Sequence, residues 1–245
     1  TLFRMTKIYR DILTSISNSK RLLAVLIDPD KMQIENVASF ISKVNHSRAT
    51  HVFVGGSEVK EGKTENLIVE IKKYTQLPII LFPGDLTQLS DKADGLLFLS
   101  LISGRNPDYL IGKQVEAISQ LRETNLEVIP TGYILLENGK QTTVERVSKT
   151  KPIERNNISL IKNTAKAGEL LGMKLIYLEA GSGATHPIEP LIIKRVKTEL
   201  NIPLIVGGGI RSTQAIDEAF EAGANIVVVG TAFEEDESLF NDLKK

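Results

Sequence analysis

The chain has 245 residues, 42% of them hydrophobic, and this length suits one large domain with a sizeable core. Thirty basic side chains balance thirty acidic ones, and a net charge of zero argues against a nucleic-acid surface, which needs a basic excess. The absence of cysteine excludes disulfides and thiolate metal sites. No apolar run approaches the roughly 20 residues that span a bilayer, and the first five residues lack a signal-peptide core. We therefore expect a cytoplasmic protein without stable membrane insertion.

Short apolar runs recur along the chain, and they number eight. Most are apolar without alternation, which is typical of strands covered on both faces. A helix is predicted before the first run, over residues 4–17. The predicted strands cover residues 22–28, 51–56, 78–84, 95–100, 127–136, 175–181, 202–209 and 225–231.

Amphipathic stretches with helical spacing separate most of these strands. They cover residues 32–44, 65–74, 107–122, 156–171, 187–200 and 213–222. Strands that alternate with helices predict an α/β fold, here a single TIM-type (β/α)₈ barrel that takes up the whole chain. An open, doubly wound sheet fits the same alternation and is the alternative.

Two connections depart from the regular pattern. Residues 85–94 are too few to hold a full crossover helix with its two loops, so we expect a short or missing third helix. Residues 137–155 instead form a long polar connector after the fifth strand, on the side where barrel active sites lie. This connector could be a lid or a solvated loop.

Oxygen ligands stand at the ends of the first two strands. Asp28 ends the first strand, where a carboxylate is well placed to bind a hard cation such as Mg²⁺. Asp30 is expected to cap the helix that follows. Ser57 comes directly after the second strand, and its hydroxyl could approach the same metal or simply cap a helix.

The third and fourth strands end in apolar residues. Phe82 lies at the end of the third strand, and Tyr109 follows the fourth. One side of the barrel mouth is therefore expected to be apolar, which suits a hydrocarbon substrate. Contact with a buried helix would explain the same pattern.

The sixth strand ends with a tyrosine and a glutamate. Alternation sends Tyr177 and Glu179 to one side of the strand and Leu178 to the other. Glu179 could orient or deprotonate a substrate hydroxyl, with Tyr177 as a hydroxyl donor. A buried structural pair is the alternative. The run Gly181-Ser182-Gly183 that follows suits an anion.

Glycines at the ends of the seventh and eighth strands give the strongest signal. Gly207, Gly208 and Gly209 precede a helix, and Gly230-Thr231 ends the last strand. Glycines let backbone N–H groups approach an anion, and the helix N-terminus adds a positive dipole. Because barrels commonly hold phosphate in the loops after strands seven and eight, we predict a phosphate site here, with tight turns alone as the alternative.

Several motifs, taken together, resemble those of one family. They are Asp28-Pro29-Asp30-Lys31, Gly55-Gly56-Ser57, Phe82-Pro83-Gly84, Pro130-Thr131-Gly132-Tyr133-Ile134, Tyr177-Leu178-Glu179-Ala180-Gly181-Ser182-Gly183-Ala184 and Val206-Gly207-Gly208-Gly209-Ile210-Arg211-Ser212. The resemblance is to the geranylgeranylglyceryl phosphate synthase family, which includes the bacterial PcrB-type prenylglyceryl phosphate synthases. It runs from about residue 22 to residue 232, and the strand-six motif is its most specific part. The family fold is a modified barrel without a regular third helix.

The resemblance implies a division of the site. Asp28 and Ser57 would lie at the Mg²⁺ site. Phe82 and Tyr109 would lie on the prenyl side. Apart from the resemblance, the charge and location of Lys31 lead us to expect that it contacts the diphosphate of a prenyl donor. The acceptor, sn-glycerol 1-phosphate, would bind to Tyr177, Leu178, Glu179, Ala180, Gly181, Ser182, Gly183, Gly207, Gly208, Gly209, Gly230 and Thr231.

The implied reaction forms an ether bond. The C3 hydroxyl of sn-glycerol 1-phosphate would attack C1 of geranylgeranyl diphosphate and release diphosphate, whose charge Mg²⁺ would neutralise. Glu179 and Tyr177 would be catalytic. A heptaprenyl donor is the alternative, and Tyr109 would either limit chain length or make a subunit contact in a homo-oligomer.

Other classes of barrel protein remain as rivals. A phosphate-binding isomerase or aldolase, a flavin-binding barrel and a non-catalytic binding barrel could all use the same phosphate loops. A Schiff-base aldolase fits poorly, because no predicted strand has a lysine near its C-terminal end and Lys31 lies past the first strand.

Overall fold

Eight parallel strands close into a barrel in the computed structural model, which describes residues 7–230, 232–233 and 239–244. Each strand pairs with the next along the chain, and the last pairs with the first. The closed barrel confirms the predicted fold, and the open sheet is wrong. The strands are β1 (Leu22–Ile27), β2 (His51–Val54), β3 (Ile79–Leu81), β4 (Gly95–Leu101), β5 (Glu127–Leu135), β6 (Leu175–Glu179), β7 (Leu204–Gly207) and β8 (Ile226–Val229).

Most strands end earlier than their sequence pattern suggested. Glycines explain several of these differences, because Gly181, Gly208 and Gly209 adopt φ angles of 101°, 86° and 70°. Such angles favour glycine and do not fit an extended strand. Most residues predicted to bind ligands therefore lie in loops at the C-terminal mouth of the barrel, while Tyr177, Leu178, Glu179 and Gly207 lie at the ends of β6 and β7.

Helices surround the barrel. They are α1 (Lys7–Ser17), α2 (Val37–His46), α3 (Lys63–Ile71), α4 (Lys113–Leu121), α5 (Thr143–Ser148), α6 (Ile158–Leu170), α7 (Pro190–Lys197), α8 (Thr213–Glu221) and α9 (Leu239–Asp242). All of them except α5 and α9 overlap stretches that were predicted to be helical. A π-helical turn, Asp108–Gly112, leads into α4. Of these helices, none in the described part of the chain is long and apolar enough to cross a membrane.

Helix α1 closes the N-terminal end of the barrel. The carboxylate of Glu127, the first residue of β5, accepts hydrogen bonds from the backbone N–H groups of Ile8 (2.6 Å) and Tyr9 (2.8 Å). These bonds satisfy donors that a helix N-terminus leaves open. Ile8 and Ile12 then pack into the barrel interior. Residues 4–6 of the predicted helix lie outside the described residues.

Strand alternation divides the core into two layers. Inward side chains such as Phe53, Tyr133 and Tyr177 fill the barrel, while outward ones such as Val52 and Leu178 pack under the helices. This is the expected packing of a barrel whose strands are covered on both faces. The inward layer ends in aromatic rings at the level of the mouth.

Both irregular connections have distinct structures. Between β3 and β4 the chain forms only a short 3₁₀ turn, Leu86–Gln88. This confirms that the helix expected after the third strand of a regular barrel is missing. The connector after β5 is not a bare solvated loop, because it contains α5, capped by the Thr142 hydroxyl, and returns to the barrel through a bridge between Leu136 and Ile153.

Candidate active site

A cavity of about 340 Å³ opens at the C-terminal mouth of the barrel, and a cluster of inward-facing rings forms part of its wall. Phe82 stacks on Tyr177 with ring centroids 5.0 Å apart, and both rings contact Tyr133. Phe82 at the end of β3, Tyr133 on β5 and Tyr177 on β6 all point into the barrel, so the strand register brings the three rings together. Sequence reasoning quoted Tyr133 only within a motif and gave it no role.

Glu179 lies buried beside this cluster and faces the cavity. It accepts a hydrogen bond from the backbone N–H of Gly181 at 2.6 Å and another from the Tyr177 hydroxyl. Burial raises the pKa of Glu179 to about 7, and the two hydrogen bonds oppose that rise. A carboxyl group with such a pKa can both accept and release a proton near neutral pH.

The two tyrosines next to Glu179 remain protonated. Burial raises the pKa of Tyr133 and of Tyr177 well above the ordinary value, and the charge of Glu179 adds to the effect. Each phenol is thus available as a hydrogen-bond donor. The predicted pairing of Tyr177 with Glu179 is present in the structure.

The glycines after β7 allow close approach to that pair. A methyl group on Gly207 would stand 2.3 Å from the Tyr177 hydroxyl oxygen, and one on Gly208 would stand 2.4 Å from Oε1 of Glu179. Real Cβ atoms do not come so close to other atoms. These glycines therefore shape the carboxylate's surroundings, a role that the phosphate prediction did not include.

Part of the predicted acceptor set does not line the cavity. Leu178 and Ala180 are fully buried in the outer layer, because the strand alternation turns their side chains away from the mouth. Gly207 lies behind the Tyr177 hydroxyl. Thr231 lies outside the described residues. The cavity is lined on this side by Gly181, Ser182, Gly183, Gly208, Gly209, Arg211 and Gly230.

The loop after β7 leads directly into α8, so a helix N-terminus follows the lining glycines. The Ser212 hydroxyl accepts from the backbone N–H of Ala215 at 3.1 Å and caps the helix. Backbone N–H groups of a glycine loop and a helix dipole both favour a bound anion. We call the loops after β6, β7 and β8 (residues 180–186, 208–212 and Gly230) the acceptor half.

Across the mouth, Asp28 and Ser57 both line the cavity. Oδ1 of Asp28 accepts from the backbone N–H of Asp30 at 3.0 Å, and Oδ2 lies 3.9 Å from Nζ of Lys31. Burial raises the pKa of Asp28, while the Asp30 hydrogen bond and the Lys31 charge lower it. The carboxylate sits directly over Gly56, where an added methyl group would be 3.1 Å from both of its oxygens.

Asp30 does not cap a helix, so that prediction was wrong. Its carboxylate instead accepts from the backbone N–H of Lys60 at 3.4 Å and lies 3.7 Å from Nζ of Lys63. These contacts draw it toward the segment after β2 and away from the next helix. The 3₁₀ turn that precedes α2 begins without a side-chain cap.

The residues on this side fit a magnesium ion that is shared with a substrate. Among the described residues, no group of three or more histidine and carboxylate side chains could hold a metal by itself. Mg²⁺, however, is commonly bound by one or two carboxylates together with substrate phosphates and water. Asp28 and Ser57 supply a hard carboxylate and a hydroxyl of that kind.

An apolar groove continues from Asp28 and Ser57 toward α4. Its walls include Leu86, Leu89, Phe98, Leu99, Tyr109 and Ala117. Lys113 adds a polar element that sequence reasoning missed, since it hydrogen-bonds Asp85 and places its ammonium 5.2 Å from the centre of the Tyr109 ring. Only the three-dimensional contact between the β3–β4 loop and α4 reveals this arrangement.

Helix α5 covers part of the opening. Val144 and Val147 line the cavity from above, and Arg146 pairs with Glu58 at 2.7 Å. Glu58 follows β2 and Arg146 follows β5, so this ion pair joins two separate parts of the rim. We call the loops after β1 to β4, with the π-helical turn and α4, the donor half.

Comparison with known proteins gives consistent matches over nearly the full chain. The sequence model of the PcrB family matches residues 15–245. A geranylgeranylglyceryl phosphate synthase of Flavobacterium johnsoniae is 54% identical over 97% of this chain and 98% of its own length. A protein of the same name from Korarchaeum cryptofilum is 40% identical over 88% of both chains.

A solved structure agrees with these sequence matches. The (S)-3-O-geranylgeranylglyceryl phosphate synthase of Thermoplasma acidophilum, crystallised with its substrate sn-glycerol-1-phosphate, superposes with a TM-score of 0.90. It is 33% identical, and the alignment covers 96% of this chain and 95% of that one.

Proposed function

The chain belongs to the PcrB family, and from that membership and the site we propose that it is a geranylgeranylglyceryl phosphate synthase. It joins a geranylgeranyl group to the C3 hydroxyl of sn-glycerol 1-phosphate and releases diphosphate. The observation that carries the proposal is the position of Glu179. This buried carboxyl, with a pKa of about 7, lies between a glycine-lined anion site and an apolar groove.

The acceptor half suits a small phosphorylated polyol. The phosphate binds to the backbone N–H groups of the glycine loops near α8, while the hydroxyl groups point toward Glu179 and Tyr177. The relative from Thermoplasma acidophilum was crystallised with sn-glycerol-1-phosphate, which supports this choice of ligand. Thr231 remains a predicted contact.

The donor half suits a prenyl diphosphate. Asp28 and Ser57 would hold Mg²⁺, which would offset the charge of the departing diphosphate. Lys31 adds a positive charge next to Asp28. The prenyl chain lies along the apolar groove between Phe82 and Tyr109.

In the reaction, Glu179 takes the proton of the C3 hydroxyl. The oxygen of that hydroxyl bonds to C1 of the prenyl donor, and the bond from C1 to the diphosphate oxygen breaks. Tyr177 holds the carboxylate by its hydrogen bond and so fixes the direction of proton transfer. The rings of Phe82, Tyr133 and Tyr177 keep water from this point, which protects the allylic carbon from hydrolysis.

Chain length and assembly follow from the same proposal. Relatives named for the geranylgeranyl group support a 20-carbon donor, with a heptaprenyl donor as the second candidate. A homo-oligomer remains a prediction, which the highly exposed Leu170 (77%) and Leu171 (78%) support because large apolar side chains favour contact with another surface.

The test offers sn-glycerol 1-phosphate or its 3-phosphate enantiomer together with C15, C20 or C35 diphosphates, with and without Mg²⁺. We expect ether product from the 1-phosphate and the C20 donor, and only with Mg²⁺. Lack of product from every pair would refute the proposal. Preference for the C35 donor would select the heptaprenyl alternative.

A further inference from the structure

Gln88 is a fully buried polar side chain that the proposed reaction does not use. It belongs to the short 3₁₀ turn between β3 and β4, and its exposed fraction is 0%. Both ends of its amide have the same partner: Oε1 accepts from the backbone N–H of Gly56 at 3.1 Å, and Nε2 donates to the Gly56 carbonyl at 2.7 Å. The amide therefore holds one backbone unit at two points.

Gly56 lies where the β2 ladder has ended. The last ladder-like bond on the β1 side runs from the N–H of Gly55 to Ile27, and on the other side the N–H of Phe82 donates to Val54. Beyond these bonds, Gln88 supplies a partner to both the N–H and the carbonyl of the half-buried Gly56. The turn that replaces the third helix is thus short enough to bring this side chain back to β2.

The backbones around Gly56 are packed too closely to shift freely. A methyl group on Gly55 would meet the Phe82 carbonyl at 1.9 Å, and one on Gly84 would meet the Gly56 carbonyl at 2.5 Å. The loop after β2 and the loop after β3 are therefore in backbone contact. Gln88 lies at this junction and fixes how the two loops fit together.

The position of the Gly56 backbone matters because Gly56 contacts the Asp28 carboxylate and precedes Ser57. The carboxyl carbon and both oxygens of Asp28 lie 3.1 Å from the place of a Gly56 Cβ. A displacement of Gly56 would move Ser57 and change the space under Asp28 together. The acceptor half has no direct hydrogen bond to Gln88 within the described residues.

We propose that Gln88 is a positioning residue that sets Ser57 and Gly56 against Asp28 and thereby determines the affinity for the diphosphate end of the donor. This inference rests on the proposed function for the identity of the donor. It predicts that loss of the Gln88 amide lowers the affinity of the donor half for diphosphate and leaves the affinity of the acceptor half for sn-glycerol 1-phosphate unchanged.

The experiment compares Gln88→Met with wild-type protein. Methionine keeps the approximate size of glutamine but leaves the Gly56 N–H and carbonyl without partners. We expect the affinity for inorganic diphosphate in the presence of Mg²⁺, measured by calorimetry, to fall about tenfold or more, since the half-buried backbone groups of Gly56 lose the partner that fixes their position. The dissociation constant of sn-glycerol 1-phosphate should stay within about twofold.

Kinetics provide a second readout. The KM for the prenyl diphosphate should rise in Gln88→Met while the KM for sn-glycerol 1-phosphate stays near the wild-type value. Gln88→Asn keeps the amide but is one methylene shorter, so the KM for the prenyl diphosphate should rise by a smaller factor. This variant replaces Gln88→Met if the latter fails to fold. Gln120→Met, on the exposed face of α4, is the matched control and should change neither constant.

Equal losses of affinity for both ligands would overturn the proposal, because they would mean that Gln88 only supports the fold. Wild-type donor affinity in folded Gln88→Met would overturn it as well. Wild-type protein that makes no product from any donor and acceptor would instead refute the proposed function. The two failures are therefore distinct.

Discussion

The acceptor half and the donor half of the mouth are built in different ways. The acceptor half consists of glycine-rich segments on three loops, and one of them packs against a buried carboxylate, Glu179, at distances that exclude a side chain on Gly208. The donor half is lined by three carboxylates, Asp28, Glu58 and Asp85, and its loops are joined by contacts between distant residues such as Gln88 and Gly56. The contrast indicates that proton transfer depends on close backbone packing around Glu179, whereas donor binding depends on side-chain hydrogen bonds that join separate loops.

The largest expected effect comes from Glu179→Gln. The amide keeps the shape of the side chain but cannot take a proton, so kcat should fall by about 10² to 10⁴. Binding of sn-glycerol 1-phosphate, measured by calorimetry, should change only a few-fold. Glu218→Gln, which alters an exposed residue of α8, is the control. A variant that keeps more than a tenth of the wild-type kcat would show that Glu179 is not the base.

Asp28→Asn tests the opposite half. It removes the carboxylate proposed to bind Mg²⁺, and we expect turnover to fall about 100-fold, in the range seen when a catalytic charge is removed. The affinity for sn-glycerol 1-phosphate should remain. Asp91→Asn, in an exposed ion pair with Lys92, should have no effect on either. Joint loss of turnover and acceptor binding would mean that Asp28 is structural and that the two halves are not independent.

Gly208→Ala would break the close contact that defines the acceptor half. The new methyl group would meet Oε1 of Glu179 at 2.4 Å, and φ at this position is 86°. Gly172→Ala has the same kind of strain, with φ of 95°, but open space around the methyl group. In urea unfolding we expect Gly172→Ala to lose about 1 kcal/mol of stability and no activity.

Gly208→Ala should lose more stability than that and at least about tenfold in kcat/KM, because the carboxylate must move. Equal behaviour of the two variants would indicate that backbone strain alone matters and that the contact with Glu179 has no role.

The pH dependence of acceptor turnover should report on the ionisation of Glu179. Because burial raises the pKa of Glu179 to about 7, the carboxyl is ionised and able to act as a base above that pH and becomes protonated below it. We expect kcat/KM for sn-glycerol 1-phosphate to fall about tenfold per unit as the pH drops below 7. A profile that stays flat from pH 8 to pH 5 would contradict this role.

The same contrast explains how much could be predicted from the sequence. The strand order, the missing third helix and the Tyr177–Glu179 pair all depend on local patterns: alternation, loop length and glycine spacing. Sequence reasoning erred on Asp30, whose partners Lys60 and Lys63 lie in the loop after β2 and at the start of α3. It gave Tyr133, Gln88 and Lys113 no role, because their contacts join residues that are far apart in the chain and leave no local signal.

The smallest expected effect concerns Lys113, which holds the groove wall by pairing with Asp85 and lying over the Tyr109 ring. In Lys113→Met the ring and the β3–β4 loop lose this common support, so the wall should yield to longer prenyl chains. A partly exposed ion pair and one cation–π contact are each worth about 1 kcal/mol or less, so the ratio of kcat/KM for C20 over C35 donors should fall about threefold to tenfold. Lys72→Met, which breaks the exposed pair with Asp94 far from the groove, should leave the ratio unchanged. An unchanged ratio in Lys113→Met would mean that the apolar side chains alone determine the length of chain that the groove accepts. A shift confined to this variant would show that contacts between loops control donor selection as well as donor affinity.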